Sequence, residues 1–283
     1  MAQMFEIKKA YLKKVLKKRS AFSHKGENGR LLIIGGSCMY HGAPILAAKG
    51  ALRAGVDLVY MYVPACNYEV TRASMPDVIV RSYEGSNFNV AAAKEIIGFG
   101  KTCDAVLVGP GFGEAEESID GTLEILKGLH LPTVLDSSAM FALKKIKKFP
   151  LEQDIVITPH QNEFSNLVDR DMKVMENDNQ SIILLRSIAM DLHLNVILKG
   201  PVDLIASDEG EIMKNVNGNA GMTVGGTGDV LAGVVASLLA QGNNPFFAEM
   251  AAAYMSGEAG DVALKKYGYG LMASDVAEEI RTI

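Results

Sequence analysis

The residues whose types and spacing suit catalysis are concentrated in one run, where a glycine-rich turn leads into an acid. Residues 225–228 are Gly-Gly-Thr-Gly, Asp229 follows them directly, and apolar residues at helical spacing come next. Glycines let backbone N–H groups crowd around an anion, and a helix N-terminus adds partial positive charge. A carboxylate there would repel a bound phosphate, unless it takes a proton from the group that the phosphate meets. This run therefore predicts phosphoryl transfer to a hydroxyl.

Three more glycine-rich stretches can bring backbone close to a ligand. They are residues 35–37, residues 109–113 and residues 217–221. The glycine density of the second, and the closeness of the third to Asp229, favour ligand contact over plain turns. The first is explained as well by a tight corner between a strand and a helix.

Three polar side chains follow predicted strands but leave alternatives open. His160 is as consistent with a structural role as with ligand contact. Glu163 either holds waters around Mg²⁺ or is an acid favoured by the dipole in the first turn of a helix. Lys199 either pairs with a phosphate or is a solvated lysine in a hairpin. None of these motifs is a Walker A loop, a Rossmann fingerprint or a zinc cluster.

Strand and helix patterns alternate along most of the chain and must position these residues. Apolar, β-branched strands are predicted at 31–34, 57–63, 77–81, 104–108, 133–136, 154–157, 195–199 and 203–206. Helices are predicted at 44–54, 90–99, 116–126, 138–147, 181–192, 230–239, 247–264 and 273–280. This alternation predicts an α/β fold with a mostly parallel sheet covered on both faces. Ligands of such sheets bind outside the carboxyl ends of the strands.

Because no stretch has the composition of a domain linker, the chain is predicted to be a single folded domain over residues 1–283. The chain is 48% hydrophobic and 22% charged, and its net charge of −5 argues against general nucleic-acid binding. Residues 1–30 nevertheless carry a net charge of +7, and residues 1–22 are predicted to form a basic helix docked on the domain or on a sister subunit. No segment is apolar and long enough to span a membrane. Residues 169–180 are the one loose connection expected.

The three cysteines are odd in number and far apart in sequence. Cys38, Cys66 and Cys103 form neither a CxxC motif nor a disulfide framework. They fit a reducing cytoplasm and are predicted to be small core or near-core residues.

Taken in order, the motifs resemble those of the NAD(P)H-hydrate dehydratases, within the ribokinase-like superfamily. The similarity runs from about residue 20 to the C-terminus and rests on Ser23-His24-Lys25-Gly26, Gly35-Gly36-Ser37, Gly109-Pro110-Gly111-Phe112-Gly113, Thr158-Pro159-His160, Asn217-Gly218-Asn219-Ala220-Gly221 and Gly225-Gly226-Thr227-Gly228-Asp229. The resemblance implies a three-layer α/β/α sandwich. It also implies repair of the 6S hydrate of NADH or NADPH, by phosphorylation of the ring hydroxyl from ADP or ATP with Mg²⁺, followed by loss of phosphate.

The resemblance also implies a role for each site residue. Asp229 would be the base, with Gly226, Thr227 and Gly228 supplying the anion hole. The hydrate would contact Ala43, Gly113, His160 and Asp229, and the adenine nucleotide would contact Lys199, Gly200, Pro201, Val202, Asp203 and Gly228. An ordinary carboxylate pKa of about 4 makes a weak base, which a loose transition state tolerates. A homotetramer and a separate epimerase as functional partner are expected.

Departures from the family pattern affect the pocket more than the class. Ser138 stands where the family usually has a second acid, and Gln161-Asn162 stands where Pro-Gly is common. Two alternatives remain: a ribokinase-fold vitamin-precursor kinase such as a hydroxyethylthiazole kinase, which would accumulate a phosphorylated alcohol, and a nucleotide-sensing module without turnover. Retention of Asp229 argues against the second.

Overall fold

Strands and helices alternate along the computed structural model, which describes residues 4–16, 18–170, 174–175 and 177–283. The strands are β1 Phe5–Glu6, β2 Arg30–Ile34, β3 Leu58–Pro64, β4 Ile79–Tyr83, β5 Ala105–Val108, β6 Thr133–Leu135, β7 Ile155–Ile157, β8 Asn195–Leu198, β9 Asp203–Ala206 and β10 Ile212–Asn215. The helices are α1 Leu12–Val15, α2 Gly42–Arg53, α3 Tyr68–Ser74, α4 Val90–Gly100, α5 Glu116–Gly128, α6 Gln161–Leu167, α7 Asn179–Leu192, α8 Thr227–Ala240, α9 Pro245–Tyr267 and α10 Ala273–Glu279. All eight predicted strands are confirmed, whereas β1 and β10 were not predicted.

One sheet contains all the strands of the described residues, in the order β1-β10-β9-β8-β7-β6-β5-β2-β3-β4. Neighbouring strands are parallel except at β9, which is antiparallel to both β8 and β10. Since β9 reverses the chain, β8 and β9 are joined by a short hairpin over residues 199–202. The mostly parallel sheet predicted from the sequence is confirmed.

Helices cover both faces of the sheet, so the fold is a three-layer α/β/α sandwich. Alternate residues of a strand serve opposite layers: Leu31 and Ile33 join the core under α2, α8, α9 and α10, while Leu32 and Ile34 join the core under α4, α5 and α7. All four side chains are fully buried. This period of two explains why the strands of the sheet are continuously apolar in sequence.

Helix α8 lies directly against α2. A Cβ on Gly233 would come 1.9 Å from the Ala47 carbonyl oxygen, and a Cβ on Gly50 would come 2.6 Å from the Val230 carbonyl oxygen. Both glycines are therefore required by backbone-to-backbone contact between the two helices. This contact fixes where α8 begins, and with it the position of Asp229.

The prediction of an N-terminal helix over residues 1–22 is wrong for the described part of that segment. In the described part of that segment, Phe5 and Glu6 pair with Met213 and Lys214 of β10, and α-helix is confined to α1. The backbone of Phe5 to Ile7 bonds to the free edge of the sheet at β10, so these residues are not available for a helix. Residues 1–3 and 17 lie outside the described residues, as do 171–173 and 176 of the loose connection. None of the described helices combines the length and apolar character that crossing a bilayer requires.

Two smaller predictions also change. The segment predicted as a helix at 138–147 is a 3-10 stretch over Ser137–Lys145. Cys103 is buried as predicted, but Cys38 and Cys66 are exposed. Both exposed cysteines lie in loops after strand ends, where the chain has left the core.

Candidate active site

The glycine-rich turn before Asp229 forms the start of α8. Gly226 is the N-cap residue with φ +104°, and a Cβ there would lie 2.5 Å from Leu46 Cδ1. Thr227 donates its hydroxyl hydrogen to the Met222 carbonyl oxygen at 2.8 Å, which ties the preceding loop to the helix. The first N–H groups of a helix have no intrahelical partner, so this turn presents donors to an anion.

Lys199 and Asp136 form an ion pair beside this turn. Lys199 Nζ lies 3.5 Å from Asp136 Oδ1, which also accepts the Thr158 hydroxyl at 2.6 Å. Burial alone would lower the pKa of Lys199, but the nearby carboxylates of Asp136, Glu163 and Asp229 raise it overall. The Lys199 side chain is therefore a charged ammonium group whose position is fixed by the ion pair with Asp136.

The same ammonium group lies over the first turn of α8. A Cβ on Gly228 would lie 3.1 Å from Lys199 Nζ, so a side chain at that position would press on the amine. The ammonium charge of Lys199 and the partial positive charge of the helix N-terminus thus act at the same place. Together they suit a phosphate more than either does alone.

Asp229 occupies the first turn of α8 and is half-buried. Burial is the main cause that raises its pKa to about 7; the negative charges of Asp136 and Glu163 also raise it, and Lys199 opposes them. An ordinary carboxylate would be a weak base, so this environment corrects the expectation of a pKa of about 4. Asp229 can accept a proton near neutral pH.

His160 and Glu163 cap the start of α6. The Glu163 N–H donates to His160 Nδ1 at 3.2 Å, and the His160 N–H donates to Glu163 Oε2 at 2.8 Å. Glu163 is therefore an acid in the first turn of α6, and its carboxylate caps the helix. No group of three or more His, Cys, Asp or Glu side chains suited to a metal ion occurs among the described residues.

A cavity of about 720 Å³ opens beside Lys199 and the start of α8. Its wall includes the predicted residues His160, Lys199, Gly200, Pro201, Asp203, Gly226, Thr227 and Gly228, together with residues of the 217–224 loop and of α9. Asp203 accepts the Gly200 N–H at 3.1 Å and the Asn215 amide at 3.1 Å, while burial raises its pKa to about 6. The Asp203 carboxyl group thus fixes the shape of the hairpin between β8 and β9 at the cavity wall.

The 217–221 loop is held against α9. Asp261 accepts the Asn219 side-chain amide at 2.8 Å and the Gly218 N–H at 3.3 Å. A Cβ on Gly257 would lie 2.6 Å from the Asn217 carbonyl oxygen, so the loop requires a glycine on the helix. The loop therefore forms a fixed cavity wall.

Two residues that the sequence prediction missed have clear positions here. Asp136 was not assigned a site role, although a charged residue that closes an apolar strand is a usable signal. Ser256 of α9 lines the cavity with a buried hydroxyl oxygen that has no hydrogen-bond partner in the described structure. Nothing in the small-residue pattern around Ser256 distinguishes it from ordinary helix packing.

Ala43 and Gly113 lie outside the lining of this cavity. A Cβ on Gly111 would lie 3.1 Å from Ala43 Cβ, so the 109–113 loop packs against the start of α2. Leu46, one turn after Ala43, would meet a Cβ on Gly226. Helix α2 therefore contacts the 109–113 loop at Ala43 and the start of α8 at Leu46.

Several known proteins are similar to this chain over most of its length. Residues 31–282 match the family model described as NAD(P)H-hydrate dehydratase. The ADP-dependent (S)-NAD(P)H-hydrate dehydratase of Cenarchaeum symbiosum is 35% identical over 274 residues, covering 96% of this chain and 94% of that protein. The bifunctional NAD(P)H-hydrate repair enzyme of Methanothermobacter thermautotrophicus is 38% identical over 264 residues, or 92% of this chain.

The bifunctional relative is the longer protein, because the aligned chain spans 50% of its length. Among solved structures, the ADP/ATP-dependent NAD(P)H-hydrate dehydratase of Bacillus subtilis, co-crystallised with ATP/Mg²⁺, superposes with a TM-score of 0.85. It is 24% identical, with 100% of this chain and 98% of that chain covered. This likeness confirms the predicted ribokinase-like fold.

Proposed function

Because the chain belongs to the NAD(P)H-hydrate dehydratase family, we propose that it restores NADH or NADPH from the 6S hydrate at the expense of ADP or ATP. One observation carries the proposal: a carboxyl group with a pKa of about 7 stands in the first turn of the helix whose start can hold a phosphate. A simple phosphate-binding site gains nothing from a base in that position.

The first step is phosphoryl transfer to the ring hydroxyl. Asp229 takes the hydroxyl proton as the oxygen attacks the terminal phosphorus of the nucleotide, and the bond to the bridging oxygen breaks. ADP then leaves as AMP, or ATP as ADP. The N–H groups at Gly226, Thr227 and Gly228 and the Lys199 ammonium stabilise the transferring group, whose transition state depends on positioning and charge.

The second step is elimination. The lone pair of the ring nitrogen expels phosphate as the carbon–oxygen bond breaks, and loss of a proton from the neighbouring carbon restores the double bond. The same residues that hold the incoming phosphoryl group hold the leaving phosphate. The site therefore performs kinase chemistry to reach a dehydrated product.

The nucleotide occupies the 720 Å³ cavity. Lys199 and Gly228 contact its phosphates, while the hairpin residues Gly200, Pro201, Val202 and Asp203 close over the nucleoside. The unpartnered Ser256 hydroxyl at the cavity wall supplies one polar contact to it. A buried polar group without a partner is costly, so nucleotide binding relieves that cost.

The hydrate occupies the adjoining space. Ala43 and Gly113 offer backbone and small side chains to the flat nicotinamide ring, and His160 reaches it from the start of α6. The His160 side chain is 54% exposed, which leaves its ring accessible to a ligand. Asp229 lies where the two substrates meet.

Mg²⁺ fits the charge of this site, although no three protein ligands converge on one point in the described residues. The carboxyl groups of Asp136, Glu163 and Asp229 all raise the pKa of Lys199, so acidic groups outnumber the lysine in this part of the site. Mg²⁺ is usually bound through one or two carboxylates, waters and substrate phosphates. Glu163, through water, is the residue that would hold it, and the bound ion would offset phosphate charge during transfer.

We further propose that residues 1–283 act as one domain in a cytoplasmic homotetramer that works with an epimerase. The bifunctional name of the longer relative is the observation in favour of the epimerase partnership. Exposed apolar side chains, such as Tyr269 at 81% exposure, are available for subunit contacts.

The decisive experiment incubates the purified protein and Mg²⁺ with the 6S hydrate and either ADP or ATP. We expect the near-ultraviolet absorbance of the reduced nicotinamide to return, with one phosphate released per hydrate consumed. Accumulation of a phosphorylated alcohol from hydroxyethylthiazole, without any activity on the hydrate, would replace the proposal with the kinase alternative. Tight nucleotide binding without turnover would indicate the sensing module.

A further inference from the structure

Two exposed thiols meet in loops that the proposed reaction does not use. Cys38 follows the glycine-rich turn after β2, and Cys66 lies in the 3-10 turn Ala65–Asn67 after β3. Their Sγ atoms are 3.2 Å apart, and both residues are exposed. They are 28 residues apart in sequence, so the fold alone brings them together.

The pairing of β2 with β3 explains this meeting. Ile34 lies beside Tyr62 in register, so the chain leaves both strands at the same edge of the sheet. The Asn67 side-chain amide then donates to the Ser37 carbonyl oxygen at 2.9 Å. This hydrogen bond joins the residue before Cys38 to the residue after Cys66, so the two thiols are held facing each other.

A glycine allows the close approach of the two loops. Gly36 has φ +86°, and a Cβ there would lie 3.0 Å from Asn67 Nδ2. The Gly36 N–H also donates to the Pro110 carbonyl oxygen at 2.8 Å. The Cys38 loop is therefore attached both to the Cys66 loop and to the 109–113 loop.

We propose that Cys38 and Cys66 are a reversible redox-active dithiol that reacts with low-molecular-weight disulfides. In the first exchange, the thiolate of one cysteine attacks a sulfur of the small disulfide, which forms a mixed disulfide and expels one small thiolate. The second cysteine, losing its proton to solvent, then attacks the protein sulfur of that mixed disulfide and expels the second small thiolate. Two protein thiols are oxidised to a Cys38–Cys66 disulfide and one small disulfide is reduced to two thiols.

Partial burial affects the reactivity of the Cys66 sulfur. Partial burial, followed by the hydrogen bond with Cys38, raises the pKa of Cys66. Since the thiolate is the nucleophile, this shift lowers the reactivity of Cys66 at neutral pH. Closing the bond requires the sulfurs to approach by about 1.1 Å, to the usual 2.05 Å.

Cys103 provides an internal control. It is buried, and burial raises the pKa of its thiol to about 11. It is therefore protected from exchange under conditions in which the exposed pair reacts. Oxidation should leave one free thiol of the three in the chain.

The test equilibrates the full-length protein in glutathione mixtures that run from fully reduced to fully oxidised. Free thiols are trapped by alkylation, and tryptic peptides are analysed without reduction. We expect a loss of two thiols and a linked pair of peptides, residues 31–49 joined to residues 54–72, released by reductant. The midpoint of the titration should be the same in Cys103→Ser, and the link should be absent from Cys38→Ser and Cys66→Ser.

The outcomes separate the proposal from simpler chemistry. Three free thiols at every glutathione ratio would overturn it. So would stable mixed disulfides with glutathione on both cysteines, without the linked peptides. A link that forms only between chains, detected as a dimer on a non-reducing gel, would also overturn it. None of these readouts depends on hydrate turnover.

Discussion

The Lys199 ammonium nitrogen and the Asp136 carboxylate lie 3.5 Å apart, at the ends of strands β8 and β6. Strand β7 runs between them, and its following residue Thr158 donates a hydrogen bond to the same carboxylate oxygen. Three strand ends thus hold one positive charge over the first turn of α8. The arrangement places the lysine before any nucleotide arrives.

Replacement of the proposed base should abolish turnover without unfolding the protein. In Asp229→Asn the side chain cannot accept the hydroxyl proton, so we expect kcat to fall by about 10²–10⁴-fold. ADP affinity, measured by calorimetry, should persist or increase because one negative charge near the phosphates is removed. Asp191→Asn, at an exposed position on α7, is the control. Unchanged kcat in Asp229→Asn would assign the base to another residue.

The pH dependence of catalysis should show the raised pKa of Asp229. The carboxylate must be deprotonated to act as a base, so kcat/KM should rise with pH and level off above about 7. Measurement between pH 5 and pH 9 with saturating nucleotide tests this. A rate already maximal at pH 5 would mean that a carboxylate of ordinary pKa is sufficient.

Loss of Asp136 should affect both nucleotide binding and this pH profile. Asp136→Asn leaves Lys199 without its ion-pair partner, and we expect the KM for ADP to rise about tenfold as the lysine loses its fixed position. Because the charge of Asp136 also raises the pKa of Asp229, the acid limb of the profile should move to lower pH. If Asp136 only stabilises the fold, Asp136→Asn would lower the Tm and leave the acid limb of the pH profile unchanged.

Two substitutions of Ser256 separate the size of the cavity from its polarity. Ser256→Ala removes the hydroxyl and should weaken ADP binding by about fivefold, the order of one neutral hydrogen bond. Ser256→Met places bulk in the 720 Å³ cavity and should raise the KM for ADP far more. If calorimetry gives equal ADP affinities for the unmodified protein and both variants, the nucleotide does not bind next to α9.

Glu249 offers a test of stability that is independent of catalysis. It is fully buried in α9, neither carboxyl oxygen has a hydrogen-bond partner among the described residues, and burial raises its pKa well above the ordinary value. Glu249→Met should raise the Tm by about 2–6 °C, because an unpartnered buried polar group costs about 1–3 kcal/mol.

The effect at Glu249 should depend on pH in a defined direction. A raised pKa in the folded state means that stability is greatest below the ordinary carboxyl pKa and is lost as pH rises. The gain in Tm from Glu249→Met should therefore be larger at pH 8 than at pH 4. Glu258→Met on the same helix is the matched control, and an equal gain there would point to a general helix effect.

Regular periodicity made most of the fold predictable from the sequence. Strand β2 is an unbroken apolar run because both of its faces are covered, and α8 follows its glycine turn as expected. Strand β1 could not be predicted, because Phe5 and Glu6 carry no alternating pattern and extend only through pairing with β10. The basic side chains near it matched a helical face, and the available sheet edge decided the outcome.

The site was predictable where chemistry was confined to one stretch of chain. Gly226 and Asp229 are close in sequence, so their relationship is visible there. The raised pKa of Asp229 arises from Asp136, Glu163 and burial, which are contributed by distant segments. The Cys38–Cys66 contact is hidden for the same reason, since only the register of β2 and β3 brings the thiols together.

The backbone contact between Gly233 and Ala47 has a consequence for amide hydrogen exchange. The interior of α8 cannot separate from α2 without breaking the core, so its amides should exchange only when the whole molecule unfolds. The first-turn N–H groups, one turn away, have no intrahelical acceptor and should exchange within the native state. Saturation with nucleotide should slow the first-turn amides directly, so deuterium uptake across this single turn would distinguish ligand contact from general rigidity.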